Sequence, residues 1–219
     1  MDKLRLRFAK EGRAVYISHL DLMRTMQRVF LRAGYQLKYS EGFNPHAQIS
    51  ILLPLSVGCS SLCELMDFSL TSDPDLLEMP ERLTAAMPEG ITALDVYEPA
   101  RKVKELKYLR MRGRFEYDRL STEDAAAALD DFFSRESIVI TRKTKRGEGE
   151  SDICPAIKEL GFIPQNGFVE LEGVISAQEP TLNPAHLVSA LEQLMPEWTP
   201  DFAEFERIET FDAEMNIFR

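Results

Sequence analysis

A chain of 219 residues, 44% hydrophobic and 28% charged, can bury one large core or two small ones and has an ordinary globular composition. Its three cysteines, Cys59, Cys63 and Cys154, are too few and too odd in number for a disulfide framework and fit a reducing compartment. The net charge of −10 argues on its face against nucleic acid, but residues 1–50 hold nine Lys/Arg against four Asp/Glu, net +5, and residues 160–219 hold two against eleven, net −9.

The first residues alternate charged and apolar side chains, which leaves no signal-peptide apolar block. No apolar run approaches the roughly 20 residues that cross a bilayer, so a cytoplasmic protein without a membrane partner is expected. Leu4, Leu6 and Phe8 alternate with Arg5, Arg7 and Ala9, the period of a half-buried strand. Ser18 opens a helical pattern in which Leu22, Met26, Val29, Phe30 and Ala33 share one face. Ser18 can accept from a free amide of the first turn, Asp21 suits the positive helix end, and Gly34 supplies a stop. Lys38 to His46 contains Gly42 and Asn44-Pro45 and is expected to be a loop. Strands are expected over 49–53 and 64–70, with a turn at Gly58 and Ser60-Ser61 between them. Asp73-Pro74 is expected to open a helix running to Met87, followed by a strand over 91–97.

After a basic linker over 99–106 the same β-α-β-β-α-β order recurs. A strand over 107–117 precedes a helix over 123–134, capped by Ser121 and Thr122. Strands over 137–141 and 168–175, a helix from Asn183-Pro184 through Leu194 and a strand over 202–211 complete it. No residue-level identity links the halves. Their shared element order predicts an α+β protein of two tandem ferredoxin-like units with antiparallel sheets, over residues 1–98 and 107–219.

Arg24, Arg28 and Arg32 stand four residues apart on the first helix and form a basic stripe opposite the apolar one. Arg5 and Arg7 share one face of the first strand, Lys38 and Tyr39 enter the following loop, and Asn44 lies within it. Arg110, Arg112 and Arg114 project from one face of their strand, and Arg142, Lys143, Lys145 and Arg146 flank Gly147 and Gly149 in a hairpin loop. Guanidinium groups bind phosphates bidentately and a neighbouring aromatic stacks on a base, so these clusters fit an RNA-binding surface. They equally fit solvated faces and loop tips. Phe43 is expected to anchor its loop on the core, whereas Tyr39 fits an anchor or a stacking platform. His19, Asp21 and His46 are the candidates for acid–base chemistry, and each fits a backbone cap as well. Zinc ligation by His19, His46, Cys59 and Cys63 uses suitable ligand types, but the spacing matches no closed motif; no metal and no cofactor are expected.

Two ordered blocks, Tyr16-Ile17-Ser18-His19-Leu20-Asp21-Leu22 with Arg24, and Tyr39-Ser40-Glu41-Gly42-Phe43-Asn44-Pro45-His46, are followed by Pro54-Leu55 and Gly58. Together they resemble the radical-SAM-associated (radical-SAM-linked) family of bacterial proteins, a domain of unknown function found alone or fused behind a radical SAM protein. At Ala47-Gln48 that family more often carries a proline and a basic residue. The resemblance implies a radical SAM protein as partner. The radical chemistry is expected to lie with that partner, because it needs a C-x-x-x-C-x-x-C triad, and Cys59 and Cys63 have the first spacing with no third cysteine nearby. The expected function is an accessory binding module that holds RNA, tRNA among the candidates, for a radical SAM partner; DNA is not expected. Two alternatives stay open. One is metal-independent RNA processing by His19 and His46, by analogy with CRISPR repeat-processing endoribonucleases, which have tandem ferredoxin-like folds. The other is a protein–protein adaptor that docks through its acidic half.

Overall fold

The computed structural model describes residues 3–144 and 147–219. Lys145 and Arg146, two of the four basic residues expected at the hairpin, lie outside the described residues, as does the side chain of Lys143. The chain divides into two units, one running to Val103 and including Arg219, the other Lys104–Phe218.

In the first unit β1 (Leu4–Lys10), α1 (His19–Arg32), β2 (Ile49–Ile51), β3 (Ser60–Phe68), α2 (Met79–Ala86) and β4 (Ile91–Tyr97) follow in that order. β1 pairs antiparallel with β3 on one side and β4 on the other, and β2 pairs antiparallel with β3. The strand order is therefore β4-β1-β3-β2. The alternating Leu4, Leu6 and Phe8 of β1 meet Leu22, Met26, Val29 and Phe30 of α1 in one buried cluster, together with Met66 and Phe68 of β3. The Phe30 and Phe68 rings sit 4.7 Å apart. Each such side chain contributes roughly 1.5–3 kcal/mol when buried, enough in sum to fix which face of α1 points outward.

Both ends of α1 are held. Ser18 is the N-cap, its hydroxyl accepting from the Asp21 amide at 3.2 Å. At the other end Gly34 takes φ +84°, a conformation that L side chains rarely adopt. Arg32 donates to the Ala86 carbonyl at 2.6 Å and Arg82 donates to the Ala33 carbonyl at 2.9 Å, so each helix places a cation on the other's final carbonyls. α2 starts later than the Asp73-Pro74 signal predicts. Asp75 instead closes a turn by accepting from the Leu77 amide at 2.9 Å, and the helix opens at Met79 with Pro80 in its first turn.

The second unit runs β5 (Tyr108–Glu116), α3 (Thr122–Phe133), β6 (Val139–Thr144), β7 (Gly147–Asp152), β8 (Ile157–Gln165), β9 (Phe168–Ser176), α4 (Ala185–Leu194) and β10 (Phe202–Phe211). Its sheet is antiparallel in the order β10-β5-β9-β8. The strand expected over 137–141 does not join that sheet. It forms β6, which pairs with β7 in a separate two-stranded ribbon, and the sheet position is taken by β8. β8 escapes sequence patterning because Gly161 and Pro164 interrupt it, both tolerable at the edge of the sheet. In the core the Phe133 and Phe162 rings stack at 5.4 Å and Phe115 meets Phe205 edge-on at 5.8 Å. Gly113 allows this packing: a Cβ there would stand 3.1 Å from the Phe205 ring. The α+β class is thus observed in both units.

Candidate functional site

The outward face of α1 and the segment after it form a groove of about 650 Å³ in the first unit. Arg24, Gln27, Arg28 and Leu31 line it from the helix, three or four residues apart and so on one face. Tyr35, Gln36 and Tyr39 line it from the following segment. That segment is pinned to the chain beyond β3: Thr71 donates its amide to the Gln36 carbonyl at 3.0 Å, and Lys38 donates its amide to the Ser69 carbonyl at 2.8 Å. Thr71 thereby reaches the groove wall.

The hairpin beyond is also closed by backbone bonds. Tyr39 bridges Ala47, Ser40 donates its amide to the His46 carbonyl at 2.8 Å, and the His46 amide donates to the Ser40 hydroxyl at 3.0 Å. Tyr39 is 56% exposed at the stem. Phe43, expected to anchor the loop, is instead fully exposed at its tip, because the closing bonds already hold the loop without a buried ring.

Among the described residues no carboxylate lines the groove. Arg24 donates to Asp21 at 3.2 Å, but both side chains are largely exposed, at 69% and 62%, so the pair is weak. Arg28 has no ion pair among the described residues. Tyr35 is half-buried with the Arg82 guanidinium 4.9 Å from its ring centroid, and burial pushes its phenol above the ordinary range. The arrangement presents two guanidinium groups, two phenol rings and two carboxamides to one concave surface, a set suited to an anionic, aromatic ligand. Gln27, Leu31, Tyr35, Gln36 and Thr71 were not among the residues singled out from the sequence. The helical spacing to Arg24 and Arg28 could have found Gln27 and Leu31, but no local pattern brings Thr71 to Gln36.

Other residues singled out from the sequence lie elsewhere. Arg5 is 1% exposed and donates to Asp67 at 2.7 and 3.3 Å and to the Arg101 carbonyl at 3.3 Å, so its charge is met by a buried carboxylate and it does not line the groove. Arg7 and Lys38 are half-buried and Asn44 is exposed in the hairpin loop; none of the three lines the groove. Arg32 is committed to the end of α2, which shortens the predicted stripe to Arg24 and Arg28. His19 and His46 are both exposed, and neither imidazole has a hydrogen bond or ion pair among the described residues. Asp21 accepts from the Ser18 hydroxyl at 2.8 Å, and that bond, then Arg24, holds its carboxyl below the usual range. A carboxylate so committed to capping is a poor proton acceptor near neutrality. Cys63 is buried and Cys59 half-buried, and no group of three or more His, Cys, Asp or Glu among the described residues is placed to hold a metal.

In the second unit Arg110, Arg112 and Arg114 do share one exposed face of β5, but acidic neighbours meet them. Register places Arg112 between Glu206 and Glu172, and Arg114 between Glu204 and Glu170. Arg112 approaches Glu170 at 3.2 Å, Glu206 at 3.8 Å and Glu172 at 3.9 Å, while Arg114 pairs with Glu116 at 2.9 Å. Arg114 also lies over the Phe168 ring at 4.1 Å and Arg110 over Phe211 at 5.5 Å. Two of the three cations in the stripe expected to face RNA, Arg112 and Arg114, are thus ion-paired, and Arg110 has only the Phe211 ring contact among the described residues. Arg142 is half-buried on β6; with burial as the larger cause, its charge lowers the pKa of His186 on α4.

Fold and groove define a small α+β protein with a cationic, aromatic surface on one unit. The chain belongs to a family described as uncharacterized proteins conserved in bacteria, DUF2344, whose model matches residues 3–184. No curated protein matches it. Among solved structures it is faintly similar to an unknown protein from Galdieria sulphuraria, at 11% identity and TM-score 0.26, over 94% of this chain and 98% of that one. The acetolactate synthase small subunit of Thermotoga maritima gives 11% identity and TM-score 0.26, over 97% and 98%. A CRISPR-associated protein from Thermus thermophilus gives 15% identity and TM-score 0.21, over 94% and 99%. No helix among the described residues is long and apolar enough to cross a membrane.

Proposed function

We propose that the protein is an accessory module that holds RNA in the groove beside α1 and presents it to a radical SAM partner, each unit being a ferredoxin-like βαββαβ fold. The observation that carries the RNA half is the groove itself, with Arg24, Arg28, Tyr35 and Tyr39 on its wall and no carboxylate among its lining residues. Phosphates are held by guanidinium groups and bases stack on aromatic rings, so this wall has the two components that RNA binding needs. The partner rests on the resemblance of the Ser18–Leu22 and Gly42–His46 blocks to the radical-SAM-associated family. tRNA is the first RNA to try. The ferredoxin-like assignment is supported by strand orders β4-β1-β3-β2 and β10-β5-β9-β8, the same order in each unit once the β6–β7 ribbon is treated as an insertion.

The binding half is tested by titrating the purified chain with single-stranded RNA over a range of salt. Binding should weaken linearly on a log–log plot, and replacing Arg24 and Arg28 with Ala should lower the slope by about 0.7 for each arginine removed. Salt-insensitive binding, or none, ends the proposal. The partner half is tested by co-expression with a radical SAM protein of the same bacterium, where failure to co-purify counts against it.

A further inference from the structure

Resting on the RNA reading above, we infer that the groove takes an unpaired nucleotide, with its base against Tyr39 and its edge met by Gln27 and Gln36, while Arg24 and Arg28 hold the adjoining phosphates. Three features carry this beyond general polyanion binding. The first is chemical. A phosphate offers only acceptors, which guanidinium donors satisfy, whereas a carboxamide presents a donor and an acceptor side by side and matches the edge of a base. The Gln27 and Gln36 side chains have no hydrogen-bond partner among the described residues, so both forks remain available in a groove they line together.

The second feature is size and shape. A concavity of about 650 Å³ falls within the range of small-ligand sites, large enough for a nucleotide and its neighbouring phosphate. A base within a duplex has both faces covered, and the deep groove of A-form RNA excludes side chains, so only an unpaired base can enter. The third is preformation. The Tyr39 backbone is held through its bridge to Ala47 and the paired bonds between Ser40 and His46, and α1 is fixed by its buried face. A backbone that is already in place spares binding the cost of ordering the loop and leaves only side-chain rotamers to fix. The exposed face of α1 sets one carboxylate, Asp21, against Arg24 and none against Arg28, whereas Arg112 on β5 has three glutamates within 4 Å.

The test compares the full chain's affinity for a mixed-sequence single-stranded RNA of about ten nucleotides with its affinity for the same strand annealed to its complement. The single strand should bind about tenfold more tightly, and Tyr39→Leu should remove most of that preference while Tyr39→Phe keeps it. With oligo(A), oligo(C) and oligo(U) as probes, Gln27→Ala with Gln36→Ala should flatten the differences among them without changing the salt slope. Equal or tighter binding of the duplex, still dependent on Arg24 and Arg28, overturns the nucleotide assignment while sparing the RNA reading. Loss of Arg24 and Arg28 dependence for both probes overturns the RNA reading and this inference with it.

Discussion

Arg28 stands exposed on the outer face of α1, while Arg5 on β1 is 1% exposed and bonded twice to Asp67. A buried guanidinium persists only when it is paired, and removing it strands its carboxylate, at a cost of roughly 3–5 kcal/mol. Here Lys3 also reaches Asp67, at 3.2 Å, and keeps the remaining carboxylate from full isolation. Arg5→Ala should therefore destabilise the chain by about 3 kcal/mol in urea titration, whereas Arg28→Ala should stay within about 0.5 kcal/mol. A stability loss at Arg28 comparable to that at Arg5 would contradict the assignment of the two. The alternation of β1 made it legible that Arg5 and Arg7 share a face. It could not show that this face is covered, because Asp67 and the Arg101 carbonyl arrive from distant parts of the chain. The same limit applies to Arg112, whose partners Glu170, Glu172 and Glu206 are set by strand register, a long-range property.

Among the elements, the helices with hydroxyl caps were the most legible, since capping is chemistry within one turn. Ser18 and Ser121 both accept from the amide three residues on, at 3.2 Å in each case. Replacing either with Ala should cost about 1 kcal/mol of stability, measured by thermal or denaturant unfolding. α2 begins later than the Asp73-Pro74 signal predicts because Asp-Pro marks a turn as readily as a helix start, and here Asp75 closes the turn. The β6–β7 ribbon is a second such case. Its base is clamped by Asp152, which accepts from the amides of Cys154 and Ile138, each at 3.0 Å, and from the Ser137 hydroxyl at 2.8 Å. The Cys154 amide first, then that of Ile138, holds this carboxyl below its ordinary value of 3.8. A carboxyl with a lower pKa in the folded state supports the fold above the unfolded value and loses that support as pH falls through the folded one. The Ile138 and Cys154 amide resonances should therefore titrate with a midpoint below pH 3.8, and Asp152→Asn should abolish that titration. A midpoint at or above 3.8 would contradict the clamp.

At the scale of the whole molecule the asymmetry of charge was visible in composition, but composition cannot say which cations remain available. In the second unit strand pairing sets arginines beside glutamates, and in the first a helix and its following segment present Arg24, weakly paired with Asp21, and Arg28, which has no ion pair among the described residues. The α+β class was legible because strand and helix periods survive in each half, whereas the second unit carries two strands more than the expected β-α-β-β-α-β order. The β6–β7 ribbon was not, since the strand signal over 137–141 belongs to a hairpin outside the sheet, and the sheet strand β8 carries Gly161 and Pro164. This division of roles predicts that Arg110→Ala with Arg112→Ala leaves RNA affinity and its salt slope unchanged, in the titration that detects Arg24→Ala with Arg28→Ala. Loss of slope in the β5 variant would place the ligand on the wrong unit.

The most direct test is photocrosslinking of a thiouridine-substituted single-stranded RNA to the full chain, with the adducts located by mass spectrometry. The adducts should fall on the segment holding Tyr35 and Tyr39, and should be lost when Arg24 and Arg28 are replaced by Ala. Adducts concentrated on β5 or β9 instead, with the Tyr35–Tyr39 segment unlabelled, would contradict the account.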